Sequence, residues 1–364
     1  MNRVTTRVAI DLFAGGGGLS QGLKQAGFVV SAAVEVEPAA CATYSANHLG
    51  TVVFQHDIRK ITGQELLRTS PTGKIDLIAA CPPCQGFSSL TAKYRRDDPR
   101  NELIFEFVRL VREIRPSTIM MENVPGLAKG AGSHLFEMAM QDLQTQGYRL
   151  SYDVVDVANY GVPQRRRRLV VLGSLCNSIE IPKATHSRVP QEGQQRWATV
   201  RDAIAQEDRP VTLKRALALG GAQHVDWNVV RNMSDINIER LRAARPGKSR
   251  ASLPVELRPR CHQQADTGFS NVYGRMSWDE PAPTITGGCT TLSKGRFGHP
   301  SQLRTISVRE AALLQSFPKG YHFDTCHMEK VCCIIGNALP PLFAEVMASA
   351  CLRSIESPHH DRLD

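Results

Sequence analysis

The sequence predicts an α/β protein, with a doubly wound, mostly parallel sheet in its first half and a smaller, irregular region behind it. Three features carry that expectation. Short β-branched runs alternate with helical patterns up to about residue 175, a glycine-rich turn separates the first strand from the first helix, and periodicity weakens from Ser174 to Ser270. Strands alternating with helices imply parallel neighbours. Ligands of such sheets sit beyond the carboxyl ends of the strands.

The expected strands are Arg7–Phe13, Phe28–Val36, Thr51–Ile58, Ile75–Pro83, Ser117–Val124, Leu150–Ala158 and Arg167–Leu175. Between them, Ser20–Gly27 and Glu102–Pro116 read as helices. In the second of these, Leu103, Phe107, Leu110 and Ile114 recur at helical spacing. Further helices are expected at Val308–Phe317 and Pro340–Ile355, the latter opening with prolines suited to a first turn. The expected division is a first domain of residues 1–180 plus 330–364 and a small domain of residues 181–329, with a variable segment at about 187–271.

Hydrophobic residues make up 42% and charged residues 22% of the 364, the balance of a globular chain. No run approaches the roughly 18 apolar residues that span a bilayer, and glycines interrupt the N-terminus before a signal-peptide core forms. A soluble cytoplasmic protein is expected. Lys and Arg outnumber Asp and Glu by 44 to 35, which permits a polyanionic partner without requiring one. Between Ser174 and Ser270 the whole basic excess falls in Arg231–Arg260. Taken alone, such a run is more often a solvated face. The ten cysteines are irregularly scattered, which favours free thiols over a disulfide framework.

"AIDLFAGGGGLSQGL" reads as strand, turn and helix, with Gly15 to Gly18 allowing close approach of a ligand to the backbone. No three of these glycines satisfy G-x-G-x-x-G, which demotes NAD, and no P-loop pattern is present for ATP. Glu35 ends the second strand, where a carboxylate accepts from ribose hydroxyls. Asp57 follows the third, placed to accept from an adenine amino group. Each acid alone is more simply a strand terminator. Together with the turn they favour an adenosine-containing cofactor, and S-adenosylmethionine suits a phosphate-free loop better than ATP.

"CPPCQGFS", beginning at Cys81, leaves three readings open: a redox pair, half of a metal site, or one nucleophile with a bystander. A zinc site would need more ligands, and His322, Cys326, His327, Cys332 and Cys333 match no common zinc spacing, so packing or surface roles are expected for them. Cys81 lies inside an apolar run, where an inert thiol is the default. Cys84 follows two prolines that stiffen the strand exit. Glu122 and Asn123 leave another strand on the same expected edge, and a thiol beside a carboxylic acid suits attack on a polarised heterocycle.

The segments "DLFAGGGGLS", "PPCQGFS", "MENVPG", "GVPQRRRR", "REAALLQSFP" and "GNALPP" occur in an order that resembles the motif set of the DNA (cytosine-5) methyltransferase family. The resemblance covers residues 7 to about 175 and about 273 to 350. It implies an S-adenosylmethionine-dependent methyltransferase-type sheet with a target-recognition domain. It also implies that Cys84 attacks carbon 6 of a flipped-out cytosine, that Glu122 engages N3 and the exocyclic amine, and that carbon 5 takes the methyl group, leaving S-adenosylhomocysteine. Gln164, Arg166 and Arg168 match the family's Gln-x-Arg-x-Arg pattern, with Arg166 expected to help bind the base and Arg168 to support the acid.

By the same resemblance Phe13, Gly15, Gly17, Glu35, Val36, Asp57, Ile58, Pro83, Leu103, Asn337 and Leu339 would cradle the cofactor, Leu339 standing where valine is commoner. Gln85, Ser88, Arg166, Thr284 and Ile285 would contact DNA, with Ile285 a mild departure from the family's leucine. Arg309 and Glu310 would hold the smaller domain against the larger. No metal is implied. The expected partner is double-stranded DNA, with a separate cognate restriction endonuclease, for a monomer of prokaryotic type. The alternatives are a tRNA cytosine-5 methyltransferase, whose characteristic Cys-Phe-Thr segment is not found, and a catalytically silent DNA-binding homologue. A thioredoxin-like oxidoreductase ranks last.

Overall fold

The computed structural model describes residues 6–83, 99–129, 132–263 and 271–357. The chain divides into two compact units, Met1–Tyr160 with Arg167–Ala184 and Leu339–Asp364, and Gly161–Arg166 with Thr185–Ala338.

The first unit is built on seven strands: β1 (Val8–Leu12), β2 (Val29–Glu35), β3 (Val52–Gln55), β4 (Leu77–Ala80), β5 (Thr118–Asn123), β6 (Arg149–Asp156) and β7 (Arg167–Ser174). Their order is β3-β2-β1-β4-β5-β7-β6. β1 to β5 are mutually parallel where they pair, and β7 runs antiparallel to both β5 and β6. β1, β4 and β5 are buried along their whole length, as strands covered on both faces must be. The sequence of crossovers reverses direction between β1 and β4. Chain leaving these two strands therefore diverges and opens a crevice at their carboxyl ends.

Helices α1 (Gly18–Gln25), α2 (Pro38–Asn47), α3 (Gly63–Leu67), α4 (Leu103–Ile114) and α5 (Ser133–Thr145) link the strands. α4 bears out its apolar spacing: Phe107 and Leu110 are fully buried, and Leu103 and Ile114 pack at the margin of the same core. A capping box between Thr62 and Glu65 starts α3. The C-terminal helix, Pro341–Glu356, lies against α1 so closely that a Cβ at Gly22 would stand 2.5 Å from both Ala344 Cβ and Pro341 O.

The second unit has little regular structure. Its helices are α6 (Val200–Ile204), α7 (Leu213–Ala218), α8 (Asp235–Ala243), α9 (Val308–Leu314) and α10 (Met328–Asn337). Two parallel pairs of two-residue strands accompany them, His186–Ser187 with Gln195–Arg196 and Val211–Thr212 with Val229–Val230. Trp227, Phe297 and Phe323 are its largest buried side chains, and Trp227 Nε1 donates to Phe323 O. The expected boundary near 330 lies inside α10, whose Gly336 packs directly on the backbone of Thr286 and Gly287.

Arg309 donates to Asp226 and to Tyr321 O, and Glu310 accepts both terminal nitrogens of Arg304, so the described partners of this pair stitch the second unit internally. By length and mean apolarity alone, Met328–Glu356 would suit a bilayer, although it holds no unbroken run of about 18 apolar residues. This stretch is two helices interrupted at Ala338–Pro340, and 67% of its apolar window is buried inside the protein. It is apolar because it forms core.

Candidate active site

Five parallel strands deliver their exits to one edge, and the expected cofactor residues from Phe13 to Pro83 lie at those exits. After β1 the backbone turns left-handed at Phe13 (φ 60°), Gly15 (φ 53°) and Gly17 (φ 91°) before α1 begins. Glu35, at the end of β2, is held by three backbone donors: Gly15 N at 2.8 Å on one oxygen, and Val36 N and Glu37 N, each at 2.8 Å, on the other. This fixes an acceptor rim beside the turn. A Cβ at Gly15 would meet nothing within 4 Å, so open space lies against the turn there. Val36 presents an apolar side chain that is 64% exposed, an adequate face for a flat ring.

Asp57 begins the turn after β3, accepting from Arg59 N and from the Arg59 guanidinium. These bonds lower its carboxyl to about 2, so it is an acceptor at any physiological pH. Ile58 beside it is buried in the core. Leu103 opens α4, and Pro83 ends the described part of the β4 exit. The residues fit an adenosine-type ligand, with a glycine backbone left open, two fixed carboxylates and an exposed aliphatic side chain. In the second unit, Asn337 is the exposed last residue of α10, while Leu339 is buried in the first.

The β4 and β5 exits carry the acid. Glu122 is 7% exposed, and its Oε1 lies 2.6 Å from Arg168 Nε. Register explains the pairing: β7 runs back along β5, so Arg168 near its start falls beside the end of β5, where Glu122 opposes Val170 and Asn123 opposes Leu169. Asn123 Nδ2 donates to Pro82 O at 3.0 Å and ties the two exits together. Cys81 follows β4. Burial first, and then the charge of Glu122, push its thiol well above the ordinary range, so it stays protonated and a poor nucleophile. Cys84, Gln85 and Ser88 lie outside the described residues.

Within the second unit, Gln164 and Arg166 are buried and work on the backbone. Ile285 N donates to Gln164 Oε1 at 2.7 Å, and Gln164 Nε2 donates to Gln315 Oε1 at 2.6 Å. Gln315 Nε2 in turn donates to Ile335 O. Arg166 donates to Ile285 O at 2.9 Å and to Gly336 O at 3.0 Å. Ile285 is therefore fully buried, with both backbone polar groups engaged, whereas Thr284 is partly exposed and its hydroxyl donates to Arg165 O. Gln315 was missed from sequence, although it lies inside a quoted motif. A single glutamine in a helical run gives no signal beyond polarity among apolar neighbours.

A sequence profile of the family described as C-5 cytosine-specific DNA methylase matches residues 8–353. The chain belongs to this family. As a C-5 cytosine-specific DNA methylase it is an enzyme that methylates carbon 5 of cytosine in DNA, and S-adenosylmethionine is the methyl donor of its family and fold. It is 37% identical over 354 residues to Type II methylase M.HgiDII of Herpetosiphon aurantiacus, covering 96% of each chain. To Type II methyltransferase M1.HphI of Haemophilus parahaemolyticus it is 34% identical, covering 94% of this chain and 86% of the relative. The crystal structure of a DNA modification methyltransferase encoded within an E. coli prophage shares the fold, with a TM-score of 0.70 at 24% identity, covering 97% of this chain and 100% of that one.

Among the described residues, no three His, Cys, Asp or Glu side chains cluster so as to hold a metal ion. His322, Cys326, His327 and Cys333 are exposed, and Cys332 is buried beside Thr290.

Proposed function

We propose that this C-5 cytosine-specific DNA methylase works through a covalent adduct of Cys84 with a flipped-out cytosine in a specific duplex sequence. The Cys84 thiolate bonds to carbon 6, and the Glu122 carboxyl engages N3 and the exocyclic amine, where electron density accumulates. Carbon 5 thereby becomes nucleophilic. S-adenosylmethionine supplies the electrophilic methyl group. A base then removes the carbon 5 proton, the 5,6 double bond reforms and the carbon–sulfur bond breaks, which returns Cys84. The observation that carries this reading is the buried Glu122–Arg168 pair at the carboxyl edge, a fixed acid on the expected side of the sheet.

In this reading Glu35 and Asp57 accept from the ribose hydroxyls and the adenine amine, Gly15 and Gly17 let the backbone approach, and Phe13, Val36, Ile58, Pro83, Leu103 and Leu339 form the apolar surround. Arg168 keeps Glu122 in place. Gln164 and Arg166 hold the 284–285 segment, so that Thr284, with Gln85 and Ser88, meets DNA. The second unit supplies recognition, and its basic stretch at Arg231–Arg260 suits phosphate contacts, which carry affinity but not sequence. Extruding the base costs a few kcal/mol, recovered from protein contacts. No metal enters this chemistry. The Type II names of the relatives support a restriction-modification role. The reading is completed by a cytoplasmic monomer whose cognate endonuclease acts separately.

The test is incubation with methyl-labelled S-adenosylmethionine and duplex DNA, followed by a 5-fluorocytosine duplex to trap the adduct. Label at carbon 5 and a covalent complex that disappears in Cys84→Ser are expected. Full activity in Cys84→Ser overturns the covalent mechanism, and bisulfite sequencing of a co-expressed plasmid reads the target.

A further inference from the structure

Behind the glycine turn lies a buried polar cluster that the chemistry above does not use. Asp11, in the middle of β1, is fully buried, and Ser20 Oγ of α1 donates to its Oδ2 at 2.7 Å. Tyr44 Oη of α2 lies 2.5 Å from the same Oγ. One turn further on, His48 packs its ring on Tyr44, centroids 4.5 Å apart, and its Nε2 lies 3.1 Å from Gly17 O. Four side chains thus connect β1, α1 and α2 to a carbonyl of the turn itself.

The other Asp11 oxygen, Oδ1, is buried with no hydrogen-bond partner among the described residues. A buried carboxylate oxygen without a donor is costly as an anion and far cheaper as a neutral O–H. The surroundings favour the neutral form. The titratable groups that face the cluster are Glu35 of β2, Tyr44 of α2 and His48 just after it, Lys24 of α1, and Cys81 just after β4. Burial keeps His48 neutral, its ring lowered to about 4, and Lys24 acts on it in the same direction, so the imidazole offers no countercharge. Burial first, and then Glu35, bring the Asp11 carboxyl up to about 7 against the pull of Ser20.

We propose that Asp11 is a positioning residue that holds the glycine turn while it carries its proton, and that losing the proton weakens cofactor binding. The proposal rests on reading Gly15–Gly18 as the cofactor cradle. An anion at Asp11 repels Glu35, whose Oε2 fixes Gly15 N, and the unpartnered oxygen demands a donor that only rearrangement or water supplies. Both effects act on the two elements that shape the cradle. Asparagine reproduces the protonated state: its carbonyl oxygen accepts from Ser20, and its amide nitrogen occupies the place of Oδ1.

The test measures the Kd of S-adenosylmethionine by titration calorimetry for wild type, Asp11→Asn and Ser20→Ala across the neutral range. Dividing wild type by Asp11→Asn cancels the titration of the cofactor's own amine. The expected ratio is near one at about pH 6 and rises to about fivefold weaker binding at about pH 8.5. Ser20→Ala removes a bond that favours the carboxylate, so the midpoint of its ratio moves to higher pH, a shift that a merely structural contact does not produce. A ratio that is flat across the range overturns the proposal while leaving the cradle reading intact. Failure of wild type to bind S-adenosylmethionine at any pH overturns the cradle reading and the proposal together.

Discussion

Arg168 Nε stands 2.6 Å from Glu122 Oε1, and both side chains are almost closed to solvent, at 13% and 9% exposure. A buried charge that loses its partner is strongly destabilised. Arg168→Ala therefore leaves Glu122 without its fixed cation, and kcat is expected to fall by about a hundredfold or more while the sheet persists. Arg168→Lys restores a charge but not the fork geometry, so only part of the rate returns. Single-turnover methyl transfer with circular dichroism as a fold control checks both. Unchanged kcat in Arg168→Ala would show that Glu122 needs no partner.

Cys81 and Cys84 are expected to part company under substitution. The Cys81 thiol is pushed up by burial and by Glu122, which leaves it protonated and inert. Cys81→Ala should keep methyl transfer within about threefold of wild type, the scale of a small packing loss. Cys84→Ser should abolish it. Loss of activity in Cys81→Ala with the fold intact would reassign the nucleophile.

Much of the fold was legible because β-branched runs bounded by turns are strong signals, and all seven expected strands of the first half are present. α10 was not. "MEKVCCIIGN" draws attention to its cysteines, although its buried Met328, Val331, Cys332 and Ile335 follow helical spacing. The acid and the glycine turn were readable because their residue types are chemically special at strand ends. Gln315 and the Asp11 cluster were not, since what matters in them is which distant backbone or side chain they meet, as in Gln164 with Gln315 or Tyr44 with Ser20. An acid inside an otherwise apolar strand, as in "VAIDL", is the signal that could have exposed Asp11.

Two glycines should give opposite phenotypes. A Cβ at Gly22 meets Ala344 Cβ and the Pro341 carbonyl at 2.5 Å, and neither a Cβ nor a backbone oxygen can swing aside. Gly22→Ala should cost about 1–3 kcal/mol of stability through overpacking. Gly15→Ala meets nothing within 4 Å and suffers only its φ of 53°, about 1 kcal/mol of strain. Its methyl group points into open space beside the proposed cradle, so KM for S-adenosylmethionine should rise with little change in melting temperature. Melting curves and cofactor KM for both variants separate the two outcomes.

Buried histidines should govern the acid limb of stability. Burial lowers His48 to about 4 and His299 to about 3, from an ordinary value of 6.5. Both are neutral in the folded chain and take a proton in the unfolded one as pH drops below 6.5, so stability present above that value is lost toward pH 4 and 3. Asp11 acts in the other sense: its raised carboxyl gives stability that is full below 3.8 and lost as pH rises through about 7. His299 Nδ1 accepts from Ser301 N and Gln302 N, a role that an asparagine oxygen can take without titrating. His299→Asn should therefore remove about one proton from the pH dependence of urea unfolding between about pH 4 and about pH 6. An unchanged slope would mean that His299 is already charged in the folded protein, against its burial beside Arg304 and Arg275.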